Sequence, residues 1–248
     1  MKSMGTNQIF AYAEKICGRG RWRDHKGVAH GAMYASDGRR MFVAMGGFGD
    51  LDHPLGIPAD RLKDLERLEQ AAPIRKIRAD WSSLRKVSQR NVASDRQARK
   101  DMADELNRAW DAAESYACPC CGKKIRIVDF QAYEDGDQVR EKYVWDQVDA
   151  IGSGIDDGVE LAIYEPGSPE AALRLEYSTV LMAPLLQAYD EFGGEFSIQT
   201  VDPGMSGLRL DGENFMFLLL NVRKSFSPLP ETEFVCTLSE PEKKGGTK

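Results

Sequence analysis

Apolar positions along the first third of the chain switch between a helical and a strand period. Residues 7–17, NQIFAYAEKIC, set Ile9, Phe10, Ala13, Ile16 and Cys17 on one side of a helix, which Gly18 and Gly20 end. The polar segment GRGRWRDHKG leads into a strand, VAHGAMYAS, then an Asp37-Gly38 corner and a second strand, RRMFVAM. Asp-Gly between runs rich in Met, Tyr, Phe and Val predicts a hairpin, because Gly38 accepts the positive φ such a turn needs. After a glycine-rich loop, IPADRLKDLERLEQ predicts a helix: Pro58 suits its first turn, and Leu62, Leu65 and Leu68 recur at helical spacing. Residues 79–115 predict a longer helical region, broken near Asn91–Ser94 and ending at CPCCGKK. Strands are expected in KIRIVDFQAYE and EKYVWDQVDA, then a turn at GSGIDDG and a strand at VELAIYE. The pattern is sharpest in the last third: strand ALRLEYS, helix TVLMAPLLQAYDEF, and strands EFSIQTV, SGLRLDG and NFMFLLLNVR. From Ser225 onward Pro, Glu and Lys dominate, which predicts a flexible tail.

The pattern implies an α+β fold in which a unit of helix and antiparallel strands occurs twice, with something inserted between. The expected organisation is a first unit at 1–73, a basic helical insertion at 74–124, a second unit at 125–224 and a tail at 225–248. At 248 residues the chain is long enough to bury a real core as one large or two small domains. No apolar run reaches membrane-spanning length, and MKSMGTNQIF lacks the hydrophobic region of a signal peptide, so a cytosolic protein is expected.

Charge changes this picture in one place. The chain is −6 overall, but residues 74–100 hold nine cations (Arg75, Lys76, Arg78, Arg85, Lys86, Arg90, Arg96, Arg99, Lys100) against Asp80 and Asp95. That stretch is +7 and the remainder −13, a split suited to one face meeting phosphate or an acidic protein surface; a merely solvated helical arm would look the same. If the stretch is one helix, its cations spread over a broad face suited to phosphate and not to base reading.

Catalytic chemistry finds little support. The sequence holds no glycine-rich phosphate loop, GxSxG, HExxH or EF-hand pattern, and its three histidines (His25, His30, His53) stand beside no nucleophile in a recognisable signature. Asp156 and Asp157 are the best paired carboxylates and read as a turn. Cys118-x-x-Cys121 followed by Gly122 has the shape of a zinc knuckle, in which two thiolates meet one metal. A structural zinc needs four ligands, and no second CxxC exists; the alternatives are a degenerate knuckle of buried cysteines, or redox or intermolecular bridging.

The stretch YASDGRRMFVA resembles the ATDGHRLA strand-turn-strand signature of bacterial DNA sliding clamps, the DNA polymerase III beta subunit family. LGIPADRLKDLERL is similar to the family's following strand, proline and short helix. LRLEYSTVLMAPLLQAYDEFGGEFSIQT, SGLRLDG and FMFLLLNVR are similar to a clamp's last helix and strands. Arg39 stands in place of the signature's histidine, Ser36 of its threonine and Met41 of its leucine, and residues 74–124 match nothing in a clamp. The resemblance implies a truncated clamp-like fold of phage or mobile-element type with a cysteine-bearing insert, and a non-enzymatic role. In that role lining helices would present Arg61, Lys63 and Arg67, joined by Arg85, Lys86 and Arg90 of the insertion, to duplex DNA. Ser36, Gly38, Arg39, Arg40 and Met41 with Leu220, Asn221 and Val222 would border a pocket for client peptides of replication proteins. Edge-strand charges that keep a hairpin soluble would also explain Arg39 and Arg40. Too short for the three domains of a clamp subunit, the chain is expected to be a monomer or dimer. The competing function is an interaction or decoy protein that inhibits a host system without binding DNA.

Overall fold

The structure, a computed structural model, describes residues 1–17, 25–46, 48, 57–71, 75–155, 157–202, 205–221 and 233–239. In chain order the elements are α1 (Thr6–Ile16), β1 (His25–Ala29), β2 (Ala32–Ser36), β3 (Arg40–Met45), α2 (Ala59–Gln70), β4 (Arg75–Arg78), α3 (Trp81–Ala112), β5 (Ser115–Ala117), β6 (Lys124–Val128), β7 (Gln131–Glu134), α4 (Asp137–Ile151), β8 (Gly158–Tyr164), β9 (Ala171–Ser178), α5 (Thr179–Phe192), β10 (Glu195–Asp202), β11 (Met205–Asp211), β12 (Phe215–Leu220) and β13 (Glu233–Leu238). The protein is α+β and folds as two compact units, one of Met1–Gln89 with Asp157–Lys248 and one of Arg90–Asp156. None of the described helices is long and apolar enough to cross a membrane.

The first unit is built on one ten-stranded sheet in the order β1-β2-β3-β12-β11-β10-β4-β13-β8-β9. Its pairs are antiparallel apart from β13 beside β8. Successive side chains of a strand point to opposite faces, so each face collects its own apolar set. On one face Met33, Ala35, Phe42, Ala44, Phe217 and Leu219 join Ile9, Tyr12 and Ile16 of α1 and Met182, Leu186 and Phe192 of α5. On the other, Tyr34, Met41, Val43, Met216 and Leu218 are covered by Leu62 and Leu65 of α2. With helices on both faces, β2 is buried at every position, which is why its sequence is almost uniformly apolar.

The second unit comprises α3 from Arg90 onward, the antiparallel sheet β5-β6-β7 and α4. Trp110, Val128, Tyr143, Val144 and Val148 form its core, with the rings of Trp110, Tyr133 and Tyr143 in mutual contact at centroid distances of 5.1–5.8 Å.

Three helices end on the same device. The last carbonyls of a helix have no partner within it and carry the negative end of its dipole, so a cation there is stabilising. Arg40 donates to the Ile16 carbonyl at the end of α1 and is held by Asp37. Arg209 donates to the carbonyls of Glu69 and Ala71 at the end of α2 and is held by Asp211. Arg126 donates to those of Trp110 and Ala113 at the end of α3 and is held by Asp135. Each guanidinium is fixed by an aspartate close by in sequence or across a hairpin, so the strand carries a pre-aimed cap to its helix.

Several sequence expectations need correction. VAHGAMYAS is two strands, not one: His30 and Gly31, at φ 51° and 76°, form a tight turn, and Ala29 pairs with Ala32. Arg75 and Arg78 lie on strand β4, between β10 and β13, not on a helix; Ile77 of β4 is buried in the first core. The inserted unit therefore starts at Arg90 and ends at Asp156, not at 74–124. The helix expected to break near Asn91–Ser94 runs unbroken from Trp81 to Ala112. EKYVWDQVDA is part of α4, not a strand: Tyr143, Val144 and Val148 fall on one helical face packed on Trp110, and that packing outweighs the strand preference of Tyr, Val and Trp. Within the tail, Glu233–Leu238 is a sheet strand, with Cys236 and Leu238 in the first core.

Candidate functional site

The hairpin corner forms as the Asp-Gly signal implies. Ser36 pairs with Met41, Gly38 has φ 83°, and the Asp37 carboxylate accepts the N–H groups of Arg39 and Arg40. Strand β12 lies beside β3, so Leu218 faces Met41 and Leu219 faces Arg40, and the Leu220 N–H donates to the Arg39 carbonyl at 2.9 Å. The tertiary structure thus brings Ser36, Gly38, Arg39, Arg40 and Met41 beside Leu220 and Asn221; Val222 lies outside the described residues.

Their chemistry is unequal. Met41, 2 % exposed, is packed under α2, Ser36 is buried, and Arg40 is committed to Asp37 and to α1. Arg39 is exposed, and Asn221 sits beside it with a buried side-chain oxygen that has no partner among the described residues. The corner therefore offers a polar rim, and its apolar floor is filled by the protein's own Leu62 and Leu65.

The cations separate into paired and exposed sets. Arg75 meets Glu165, Lys76 meets Glu195, Arg85 of α3 meets Asp190 of α5, and Arg99 meets Asp95 and Asp149. These four are engaged in holding elements together. Arg78, Lys86, Arg90, Arg96 and Lys100 are exposed and form no ion pair among the described residues. In the second unit Arg90, Arg96 and Lys100 fall within an arc of about 120° over about 15 Å of helix, at 100° and 1.5 Å per residue. That arc adjoins the side of α3 that carries Ala103, Leu106 and Trp110 into the core. On α2, Arg61, Lys63 and Arg67 are exposed among Asp60 and Asp64, with Arg61 3.8 Å from Asp64. The two helices that resemble those of a clamp, α2 and α5, cover opposite faces of the sheet. They cannot face one duplex together.

The CPCC sequence caps the β5–β6 hairpin beyond the pair Ala117–Lys124. The Cys118 N–H donates to the Lys123 carbonyl and the Gly122 N–H to the Cys118 carbonyl, closing a turn that puts Gly122 at φ 71°. Backbone N–H groups of Cys120, then Cys121, and after them the Cys121 thiol, point at the Cys118 sulfur and hold its pKa below that of an ordinary thiol. Cys118 is half-buried and Cys120 and Cys121 are exposed, so the degenerate knuckle of buried cysteines does not apply. Among the described residues no group of three or more His, Cys, Asp or Glu side chains is placed to hold a metal.

Other titratable groups serve the fold. Burial first, then a carboxylate partner, raises the pKa of Tyr12 (Glu191), Tyr34 (Glu69) and Tyr143 (Asp129), keeping each a neutral donor. Asp157 accepts the Ser178 hydroxyl and the Val180 N–H at the start of α5, a cap in place of half an acid-base pair; Asp156 and His53 lie outside the described residues. His30 meets Glu66 at 3.1 Å on the surface.

Sequence reasoning missed the exposed apolar side chains of the second unit. Asp129 and Phe130, at φ 50° and 63°, form the β6–β7 turn, and Phe130 is fully exposed, with Tyr116 and Ile127 about half exposed on the outer face of the same sheet. The signal was Asp129, the polar residue that interrupts KIRIV before FQAYE. No protein-family model matches the chain, and neither a curated protein nor a solved structure matches it.

Proposed function

We propose that this chain is a non-enzymatic, clamp-like binding protein that engages the phosphate backbone of duplex DNA. The observation that carries the reading is the set Arg90, Arg96 and Lys100: exposed, unpaired among the described residues, and confined to one side of α3. A broad cationic helix face binds phosphate without reading bases. In the first unit Lys86, Arg61, Lys63 and Arg67 are exposed as well, and Arg39 with Asn221 offers a polar rim to a client peptide of a replication protein. The second reading, an interaction protein that acts without DNA, is favoured by Phe130, Tyr116 and Ile127, because a fully exposed aromatic at a hairpin tip suits a protein partner's pocket.

Fluorescence anisotropy with a labelled 30-base-pair duplex of arbitrary sequence, at salt from 25 to 300 mM, separates them. The first reading expects binding insensitive to sequence, with log K falling against log salt by about 0.9 per phosphate neutralised, hence a slope near −3 for three cations. Changing Arg90, Arg96 and Lys100 together to Glu abolishes that binding and leaves the circular dichroism spectrum unchanged, since exposed charges contribute little to folding. No binding at 25 mM salt, or equal binding by the triple variant, overturns it.

A further inference from the structure

The knuckle presents half of a metal site. Cys118 and Cys121 are three residues apart on one tight hairpin tip, closed beyond the Ala117–Lys124 pair by the bonds from the Cys118 N–H to the Lys123 carbonyl at 2.7 Å and from the Gly122 N–H to the Cys118 carbonyl at 2.8 Å. Thiolates at this spacing close on a single soft or borderline ion, and zinc in a structural site takes four ligands in a tetrahedron. All five cysteines are described, and the two outside the tip, Cys17 and Cys236, are 6 % and 0 % exposed in the core of the other unit. Cys120 does not complete a third position, for no group of three ligating side chains forms among the described residues.

We propose that two copies of this chain share one zinc ion, each supplying Cys118 and Cys121. Two identical two-thiolate clips related by a two-fold axis fill a tetrahedron, which makes a second copy of the same tip a self-complementary source of the missing pair. The tip is open to such an approach: Cys120, Cys121, Gly122, Lys123 and Lys124 are all exposed. Its local charge fits as well. Four thiols lose four protons on binding Zn²⁺, leaving a centre of charge −2, and each copy brings Lys123 and Lys124 next to it. Lys123 is in turn steadied by Glu134 at 2.9 Å. The fit of two exposed half-sites to one ion accounts for a knuckle in a chain that has no second CxxC.

The test is light scattering with elemental analysis on the full chain, in a non-thiol reductant so that no disulfide forms, with zinc or with a chelator. With zinc the expected mass is twice 27.7 kDa with one zinc per two chains, and the chelator returns the single chain. Cys118→Ser or Cys121→Ser abolishes both the zinc and the dimer, whereas Cys120→Ser keeps both. Cobalt(II) loaded instead of zinc gives the intense thiolate charge-transfer and visible bands of a four-sulfur tetrahedral centre. Circular dichroism of the serine variants checks that the hairpin unit still folds. One zinc per chain at single-chain mass, no zinc at all, or a dimer that survives the chelator or the Cys118→Ser change overturns the proposal. None of these readouts involves DNA, so the outcome is independent of the DNA-binding reading.

Discussion

Changing Arg40 to Met removes a guanidinium that, together with Asp37, is largely buried: the two side chains are 14 % and 15 % exposed. Three bonds go with it, Nε to Asp37 Oδ2 at 2.7 Å, Nη2 to the same carboxylate at 2.6 Å, and Nη2 to the Ile16 carbonyl at 3.2 Å. Removing one partner of a buried ion pair costs about 3–5 kcal/mol, because the other charge is left without compensation. Here Asp37 keeps the N–H groups of Arg39 and Arg40, which offsets part of that loss, while the end of α1 loses a cap. The expected cost is therefore near the lower limit, about 3 kcal/mol. Arg39→Met next door, at an exposed position, should change stability by less than about 0.5 kcal/mol. Urea unfolding followed by far-ultraviolet circular dichroism, at unchanged m-value, measures both. If Arg40→Met costs no more than Arg39→Met, Arg40 does not tie the hairpin to α1, and both arginines belong to a surface available for binding.

Two further outcomes follow from the second unit. Phe130→Gly should raise its stability by about 0.5–1 kcal/mol: a non-glycine residue at φ 63° carries about 1–2 kcal/mol of strain, part of which glycine's greater freedom in the unfolded chain takes back, and a fully exposed ring loses no burial. A lower melting temperature for that variant would contradict the strained-turn account. The hydrogen bond from Arg126, ahead of the one from Ser115, holds the Asp135 carboxyl below its ordinary value, so the pair's stabilisation is complete above about pH 4 and is lost as the pH falls through the lowered pKa. Acid titrations of the parent and Asp135→Asn should therefore converge at low pH; equal stability at neutral pH would remove Asp135 from the cap.

The sequence by itself determined the elements whose periodicity is set by one buried face and whose ends carry strong local signals. Leu62, Leu65 and Leu68 after Pro58 define α2, the run from Met182 to Phe192 after Ser178 defines α5, and Asp37-Gly38 defines the β2–β3 corner, because caps, turns and side-chain period act within a few residues. It determined the turn at the β5–β6 tip for the same reason: the Gly122 N–H closes on the Cys118 carbonyl within a few residues. Tertiary structure decided what depends on distant partners. Phe234, Cys236 and Leu238 alternate like a strand, yet their place between β4 and β8 rests on pairing with Ile77–Arg78 and with Glu160–Tyr164, which no local signal encodes. Four residues of β4 are a strand because two neighbours supply their hydrogen bonds, although their charge reads as a helical arm. Which cations are available was decided there too: Arg85 is taken by Asp190, more than a hundred residues away, and Arg99 by Asp149, while Arg90, Arg96 and Lys100 keep to the solvent. Charge composition is a property of the chain, but its neutralisation depends on which acid the fold brings within about 4 Å.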